Sequence, residues 1–109
     1  MEKITQDFSK KLIQQFHNNF VDSSIDNDEY FQSISLIIKG IEQFCKDNKF
    51  NVSIIEKIKK ELLNFTFNLF KNYWLFQAKQ SAEEDEDFNF NEDEEIEECR
   101  ETFYDWFES

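Results

Sequence analysis

The feature that most constrains the fold of this chain is the absence of proline and of all but one glycine, Gly40. Proline and glycine supply the tight turns between short strands, and proline breaks the interior of a helix. A chain with so few of both suits long helices better than a turn-rich β fold. Apolar residues make up 39% of the 109 residues and include 14 phenylalanines, enough to build a core.

Apolar residues recur at helical spacing in four segments, over about residues 2–20, 27–46, 53–80 and 92–107. The first two stripes consist of Ile4, Phe8, Leu12, Ile13, Phe16 and Phe20, and of Tyr30, Ile34, Ile37, Ile38, Ile41, Phe44 and Cys45. The pattern predicts an all-α fold, a small antiparallel bundle of about four helices with a long central third helix. The length fits one helical domain over residues 1–109.

The third segment carries two apolar stripes on neighbouring faces, where a surface helix usually has one. Ser53 and Glu56, three residues apart before a long apolar run, predict a capping box at its start. The first stripe consists of Ile54, Ile58, Leu62, Phe65, Leu69, Tyr73 and Phe76, and the second stripe of Leu63, Phe67, Phe70 and Trp74. Such a helix is either central in its own fold or uses one face for another chain.

The fourth segment divides into an apolar and an acidic face when residues are placed about 100° apart. The apolar face holds Ile96, Cys99, Phe103, Trp106 and Phe107, and the acidic face holds Glu94, Glu97, Glu98, Glu101, Asp105 and Glu108. We expect the apolar face to return along the second stripe after an acidic connection over residues 81–91. Pairing of the same apolar surfaces between two copies, as a homodimer, is the alternative.

Negative charge is concentrated at the C-terminal end of the chain, whose net charge is −12. Residues 1–82 contain 10 acidic and 11 basic residues, whereas residues 83–109 contain 14 acidic residues and one base, Arg100. Such asymmetry indicates an interaction segment. A disordered solubility tail is typically poor in aromatic residues, but this segment includes Phe88, Phe90, Phe103, Tyr104, Trp106 and Phe107.

Carboxylates one helical turn apart repel one another at a cost of about 0.2–0.5 kcal/mol per pair. Along a helix they form a regular row of negative charge, as phosphates do in nucleic acid. The acidic face therefore predicts a non-enzymatic inhibitor or antagonist that occupies a basic, nucleic-acid-binding surface of a partner protein. Phage counter-defence proteins and immunity partners of toxins act in this way, and the analogy is one of size and charge.

Three other interpretations stay open at this point. In the first, the acidic side chains are merely solvated. In the second, the chain is a structural or adaptor subunit that self-associates or docks through its aromatic stripes. The third is a calcium-responsive module. Its ligands would follow the spacing of an EF-hand loop: Asp87, Asn89, Asn91, Asp93, Glu95 and Glu98. Glu92 stands where that loop needs glycine, which weakens the match.

Residues suited to catalysis or cofactor binding are sparse. The only histidine, His17, has no acidic neighbour in sequence and is expected at the surface or in a groove. Gly40 stands alone, so there is no glycine-rich phosphate loop. Cys45 and Cys99 lack metal-ligand spacing and are expected to be buried thiols, with the acids near Cys99 raising its pKa. We therefore expect no enzymatic activity, no cofactor and no metal site.

The sequence also bears on location and on direct nucleic-acid binding. The N-terminal residues carry charges where a secretory signal has an apolar run, and no segment approaches the ~20 apolar residues of a membrane span. A cytoplasmic protein without membrane contact is expected. Its densest basic group, Lys57, Lys59 and Lys60, is balanced by Glu56 and Glu61, so direct binding of nucleic acid is not expected.

Overall fold

The computed structural model describes residues 2–23, 26–84 and 89–108, the last without its side chain. Four helices account for nearly all of them: α1 (Glu2–Val21), α2 (Asn27–Asp47), α3 (Val52–Glu84) and α4 (Glu92–Glu108). No strand occurs in these ranges. The predicted all-α fold of about four helices with a long third helix is confirmed. Helix α3 reaches Glu84, and so includes the start of the predicted connection, because neither proline nor glycine interrupts it.

The helices form two compact units, Met1–Thr66 and Phe67–Ser109. The first unit contains α1, α2 and the beginning of α3, and the second contains the rest of α3 and all of α4. Each unit has its own buried apolar side chains, exemplified by Ile13 and Ile34 in the first and by Phe70 and Phe103 in the second. The organisation of the whole chain as one domain stays a prediction.

The buried face of α1 differs from the predicted stripe. Ile4 and Phe8 are 70% and 64% exposed, whereas Ile13 and Phe20 are buried together with the small polar residues of the same face, Thr5 and Ser9. The reason is that a fourfold apolar repeat advances by about 40° around a helix at every step. By Phe20 the repeat points almost opposite to Ile4, so both ends of one apparent stripe cannot face the same core.

The predicted capping box at the start of α3 is wrong. Helix α3 begins before Ser53, and Asn51 is the cap: its Oδ1 accepts hydrogen bonds from the backbone N–H and the hydroxyl of Ser53, both at 2.9 Å. An asparagine at this position satisfies a backbone donor that the first turn leaves without a helical partner. Asp26 does the same for α2, accepting from the N–H of Glu29 at 2.9 Å.

Successive helices run antiparallel within each unit. In the first unit α1 and α3 are parallel, since Lys57 pairs with Glu2 at 3.4 Å and the ammonium of Lys10 lies 5.9 Å from the ring centroid of Phe65. In the second unit α3 and α4 are antiparallel, since Phe67 contacts Phe103 late in α4 and Trp74, later in α3, contacts Glu95 early in α4. Over the described ranges, no helix combines the length and apolar character that crossing a bilayer requires.

Candidate functional site

The acidic helix α4 is held by an aromatic contact with the second half of α3. The ring of Phe103 lies 5.5 Å from that of Phe67 and 6.0 Å from that of Phe70, and Tyr104 lies 5.5 Å from Phe67. Phe70 and Phe103 are 1% and 0% exposed. Aromatic pairs at these separations add to the stabilisation that burial of their area provides. The predicted docking of α4 on the second stripe is confirmed.

A hydrogen bond fixes the other end of the same contact. The indole Nε1 of Trp74 donates to Oε2 of Glu95 at 2.7 Å. Because Trp74 follows Phe67 along α3 while Glu95 precedes Phe103 along α4, the two helices are antiparallel. The bond also explains why Glu95, although acidic, is half-buried and separate from the acidic face. Sequence periodicity places Glu95 beside the apolar face, but it does not identify a partner.

The second stripe was also a candidate surface for assembly of several copies. Phe67 and Phe70 are buried and contact α4 of the same chain, and Trp74 is half-buried. Leu63, the first member of the stripe, belongs to the other unit and is half-buried there. Assembly through Phe67 and Phe70 would therefore require α4 to be displaced.

The acidic face points to solvent. Its described members are all exposed: Glu94, Glu97, Glu98, Glu101 and Asp105. The side chain of Glu108, also predicted for this face, lies outside the described residues. The ion pairs of the described chain involve Glu2 and Glu42, and none involves a carboxylate of α4. The face is therefore a row of carboxylates with no basic side chain of the described chain paired to it.

The single base of α4 is engaged with an aromatic ring. The guanidinium carbon of Arg100 lies 4.9 Å from the ring centroid of Phe67, a cation–π separation. Arg100 thus helps to hold α4 on α3. It forms no ion pair with the acidic face among the described residues.

The position of each acid along α4 decides whether it helps the helix. Asn91 caps the helix by accepting from the N–H groups of Asp93 and Glu94 at 3.1 and 3.3 Å. Acids in this first turn interact favourably with the positive end of the helix dipole. Asp105 lies in the last turn, where the dipole favours bases and none is present, and Glu101, in the middle of the helix, lies one turn from both Glu97 and Asp105. These two acids oppose helix stability, so their presence calls for another explanation.

The calcium-loop pattern does not have the backbone that such a site requires. Helix α4 begins at Glu92, so Asp93, Glu95 and Glu98 lie along a helix and not in a ligand loop. Asp87 lies outside the described residues. Within the described ranges, no group of three or more histidine, cysteine or carboxylate side chains is arranged to hold a metal ion.

Both thiols are buried and free, as predicted. Burial raises the pKa of Cys99 to about 12, and it is also the main reason that the pKa of Cys45 is raised. For Cys99 the nearby charge of Glu95 is a smaller influence than burial, whereas the sequence pointed to the acids alone. Thiols held in the protonated form are poor nucleophiles.

The predicted surface or groove location of His17 is wrong. The imidazole is only 7% exposed, and its Nδ1 lies 2.9 Å from the hydroxyl oxygen of Tyr30. Burial lowers the pKa of His17 and raises the pKa of Tyr30, so the pair is a neutral imidazole beside a protonated hydroxyl. The ring of Phe16 stacks on that of Tyr30 at 5.6 Å, and the ring of Phe20 lies tilted against it at 4.4 Å. This is a polar contact of the core.

The His17–Tyr30 pair predicts a pH dependence of stability. In the unfolded chain a histidine takes up a proton near pH 6.5, whereas the folded chain, with its lowered pKa, resists protonation to lower pH. The unfolded state then binds more protons, so this contribution to stability falls as the pH drops below about 6.5.

The measurement is denaturant unfolding of the wild type and of His17→Gln from about pH 8 to about pH 5. The carboxylates titrate in both proteins, so their difference in unfolding free energy isolates His17. That difference is expected to shift against the wild type as the pH falls. A constant difference over the range would contradict the assigned protonation state.

Comparison of the chain with protein-family models, with curated proteins and with solved structures gives no match.

Proposed function

We propose that the chain is a non-enzymatic inhibitor or antagonist whose acidic face on α4 occupies a basic, nucleic-acid-binding surface of a partner protein. The observation that carries the proposal is that the described carboxylates of this face are exposed and unpaired with any base of the described chain. A row of charges left unpaired on a docked helix is available to a partner of opposite charge.

The geometry of α4 favours recognition over simple solvation. A flexible acidic tail keeps a protein soluble without aromatic anchors, whereas α4 is fixed by Phe103 and by the bond between Trp74 and Glu95. Fixing the helix gives the carboxylates a regular spacing of about 5–6 Å between neighbours one turn apart. A preorganised row loses less conformational entropy on binding than a flexible one.

The acids in the second half of α4 support the same conclusion. Glu101 is one turn from both Glu97 and Asp105, so it takes part in two repulsive pairs, each costing about 0.2–0.5 kcal/mol. Mixed charges would give the same solubility without that cost, and the first unit uses such mixtures, as in the pairs of Glu42 with Lys46 and Lys59. Acids retained against helix stability favour a role in binding.

A partner of this kind binds nucleic acid, so competition with nucleic acid tests the proposal. An antagonist that occupies a nucleic-acid site must compete with nucleic acid for its partner, and its affinity must fall as salt screens the charges. Release of bound nucleic acid from such a partner on addition of the chain is therefore the expected result.

A further inference from the structure

An apolar groove of about 500 Å³ opens between α1 and α2 in the first unit. Exposed apolar side chains form its walls: Ile4, Phe8 and Leu12 from α1, which are 70%, 64% and 38% exposed, and Leu36 and Phe44 from α2, which are 64% and 47% exposed. The three residues of α1 stand early in the fourfold repeat, whose drift around the helix turns them away from the buried face. Leu36 and Phe44 of α2 line the same groove. Single exposed apolar residues are ordinary, but a contiguous set indicates an interaction surface.

Gly40, the only glycine of the chain, lies in the wall of this groove. It is in the interior of α2, where glycine weakens a helix relative to alanine. A Cβ at this position would have nothing within 4 Å, so packing inside the chain does not require glycine there. A glycine in a helix allows another backbone or side chain to approach closely. Gly40 thus provides a gap in the apolar wall, with Phe8 and Phe44 projecting nearby.

We propose that this groove is a homodimer interface, in which the α1–α2 face of one copy packs against the same face of a second copy. The five exposed side chains present on the order of 500 Å² of apolar surface per copy, the size of the largest patch on a typical monomer. Two copies would bury roughly 1,000 Å² from these side chains, close to the lower end of the ~1,200–2,000 Å² of a stable interface, which fits a dimer that dissociates on dilution.

Charge favours a second copy at this face. The first unit contains 10 acidic and 9 basic residues, so two copies meet there with almost no net repulsion. Contact through α4 would instead bring two rows of carboxylates together. A two-fold interface also places identical surfaces opposite one another, so a projecting Phe8 or Phe44 has the gap over Gly40 of the other copy available to it.

The proposed interface belongs to the first unit and the acidic face to the second, and the two proposals stand independently. A dimer formed through α1 and α2 carries two copies of α4, each with its own row of acids. Two such helices on one particle raise the avidity for a partner that presents two basic sites. Failure of either proposal leaves the other intact, because one is measured by oligomeric state and the other by binding to a basic partner.

The test is sedimentation of the full chain over the micromolar range. The wild type is expected to sediment as a dimer that dissociates on dilution, and Phe8→Glu is expected to raise the dissociation constant by about tenfold or more. Phe76→Glu is the matched control, because Phe76 is 61% exposed against 64% for Phe8 but lies on α3 in the other unit. It is expected to leave the dimer intact.

A second pair of variants separates association from folding. Gly40→Ala and Gly40→Leu both strengthen α2 as a helix, and both project into open space, so the monomer is expected to keep or raise its melting temperature. Only the leucine fills the gap, so it alone is expected to weaken the dimer. A wild type that stays monomeric throughout the micromolar range would overturn the proposal. So would a dimer that survives both Phe8→Glu and Gly40→Leu, and so would a monomer whose groove instead binds an apolar dye.

Discussion

Replacement of Glu98, Glu101 and Asp105 by lysine is expected to abolish binding to the basic partner while leaving the chain at least as stable as the wild type. Binding is lost because the row becomes repulsive toward a basic surface. Stability is kept because the change converts the repulsion with the unchanged neighbours Glu94, Glu97 and Glu108 into attraction, whereas the repulsion between positions 101 and 105 persists as one between two lysines. Each such pair is worth about 0.2–0.5 kcal/mol. Lysines near the end of α4 also interact well with the helix dipole.

The measurement combines affinity for the captured partner with the thermal unfolding midpoint. The matched control replaces Asp7, Asp22 and Asp47 by lysine, three exposed acids of the first unit, which changes the net charge by the same amount away from α4. The control is expected to bind. Binding that survives the change on α4 would show that the acidic face is not the binding surface, and equal loss in both triple variants would show that total charge is responsible.

Phe103→Ala is expected to lower the free energy of unfolding by about 3–5 kcal/mol, the usual cost of removing a fully buried phenylalanine. Phe103 is 0% exposed and contacts Phe67, Phe70 and Phe107, so its loss leaves a cavity at the centre of the α3–α4 contact. The contacts that remain, from Trp74, Tyr104 and Arg100, come from half-buried or exposed side chains, so we expect the helix to undock and the acidic row to lose its fixed position.

Denaturant unfolding followed by circular dichroism and by tryptophan fluorescence measures this effect. Phe76→Ala is the control, since Phe76 is 61% exposed and its removal is expected to change the unfolding free energy by no more than about 0.5 kcal/mol. Equal effects of the two substitutions would contradict the packing described for α4.

The fold was predictable from the sequence where a segment has a single apolar stripe and that stripe is the buried face of its helix. The two faces of α4 separate cleanly at helical spacing, and Cys99 and Phe103 are buried as their position predicts. The first helix was harder, because its fourfold repeat drifts by about 40° at each step and offers no single face. There the structure buries Ser9 and leaves Phe8 exposed. A hydrophobicity pattern cannot anticipate that choice, which depends on where the neighbouring helices lie.

Polar contacts between distant residues were the least predictable part. His17 pairs with Tyr30, and Trp74 pairs with Glu95, because the fold brings their helices together. No spacing of residues along the sequence predicts either bond. The cap of α3 could have been found, since Asn51 precedes the helix and asparagine is among the strongest capping residues. The groove beside Gly40 was also not predictable from the sequence, because it depends on which side chains of α1 and α2 lie exposed around the glycine.

Competition for a captured partner tests the central proposal most directly. The immobilised chain is used to capture a basic protein from a lysate, and that protein is then saturated with a labelled duplex or single-stranded nucleic acid that it binds. Addition of the wild-type chain is expected to release the nucleic acid stoichiometrically, and the affinity of the chain for the partner alone is expected to fall as the salt concentration rises. The chain with Glu98, Glu101 and Asp105 replaced by lysine is expected to release none. Formation of a stable complex that contains the chain, the partner and the nucleic acid together would contradict the proposal that α4 occupies the nucleic-acid site.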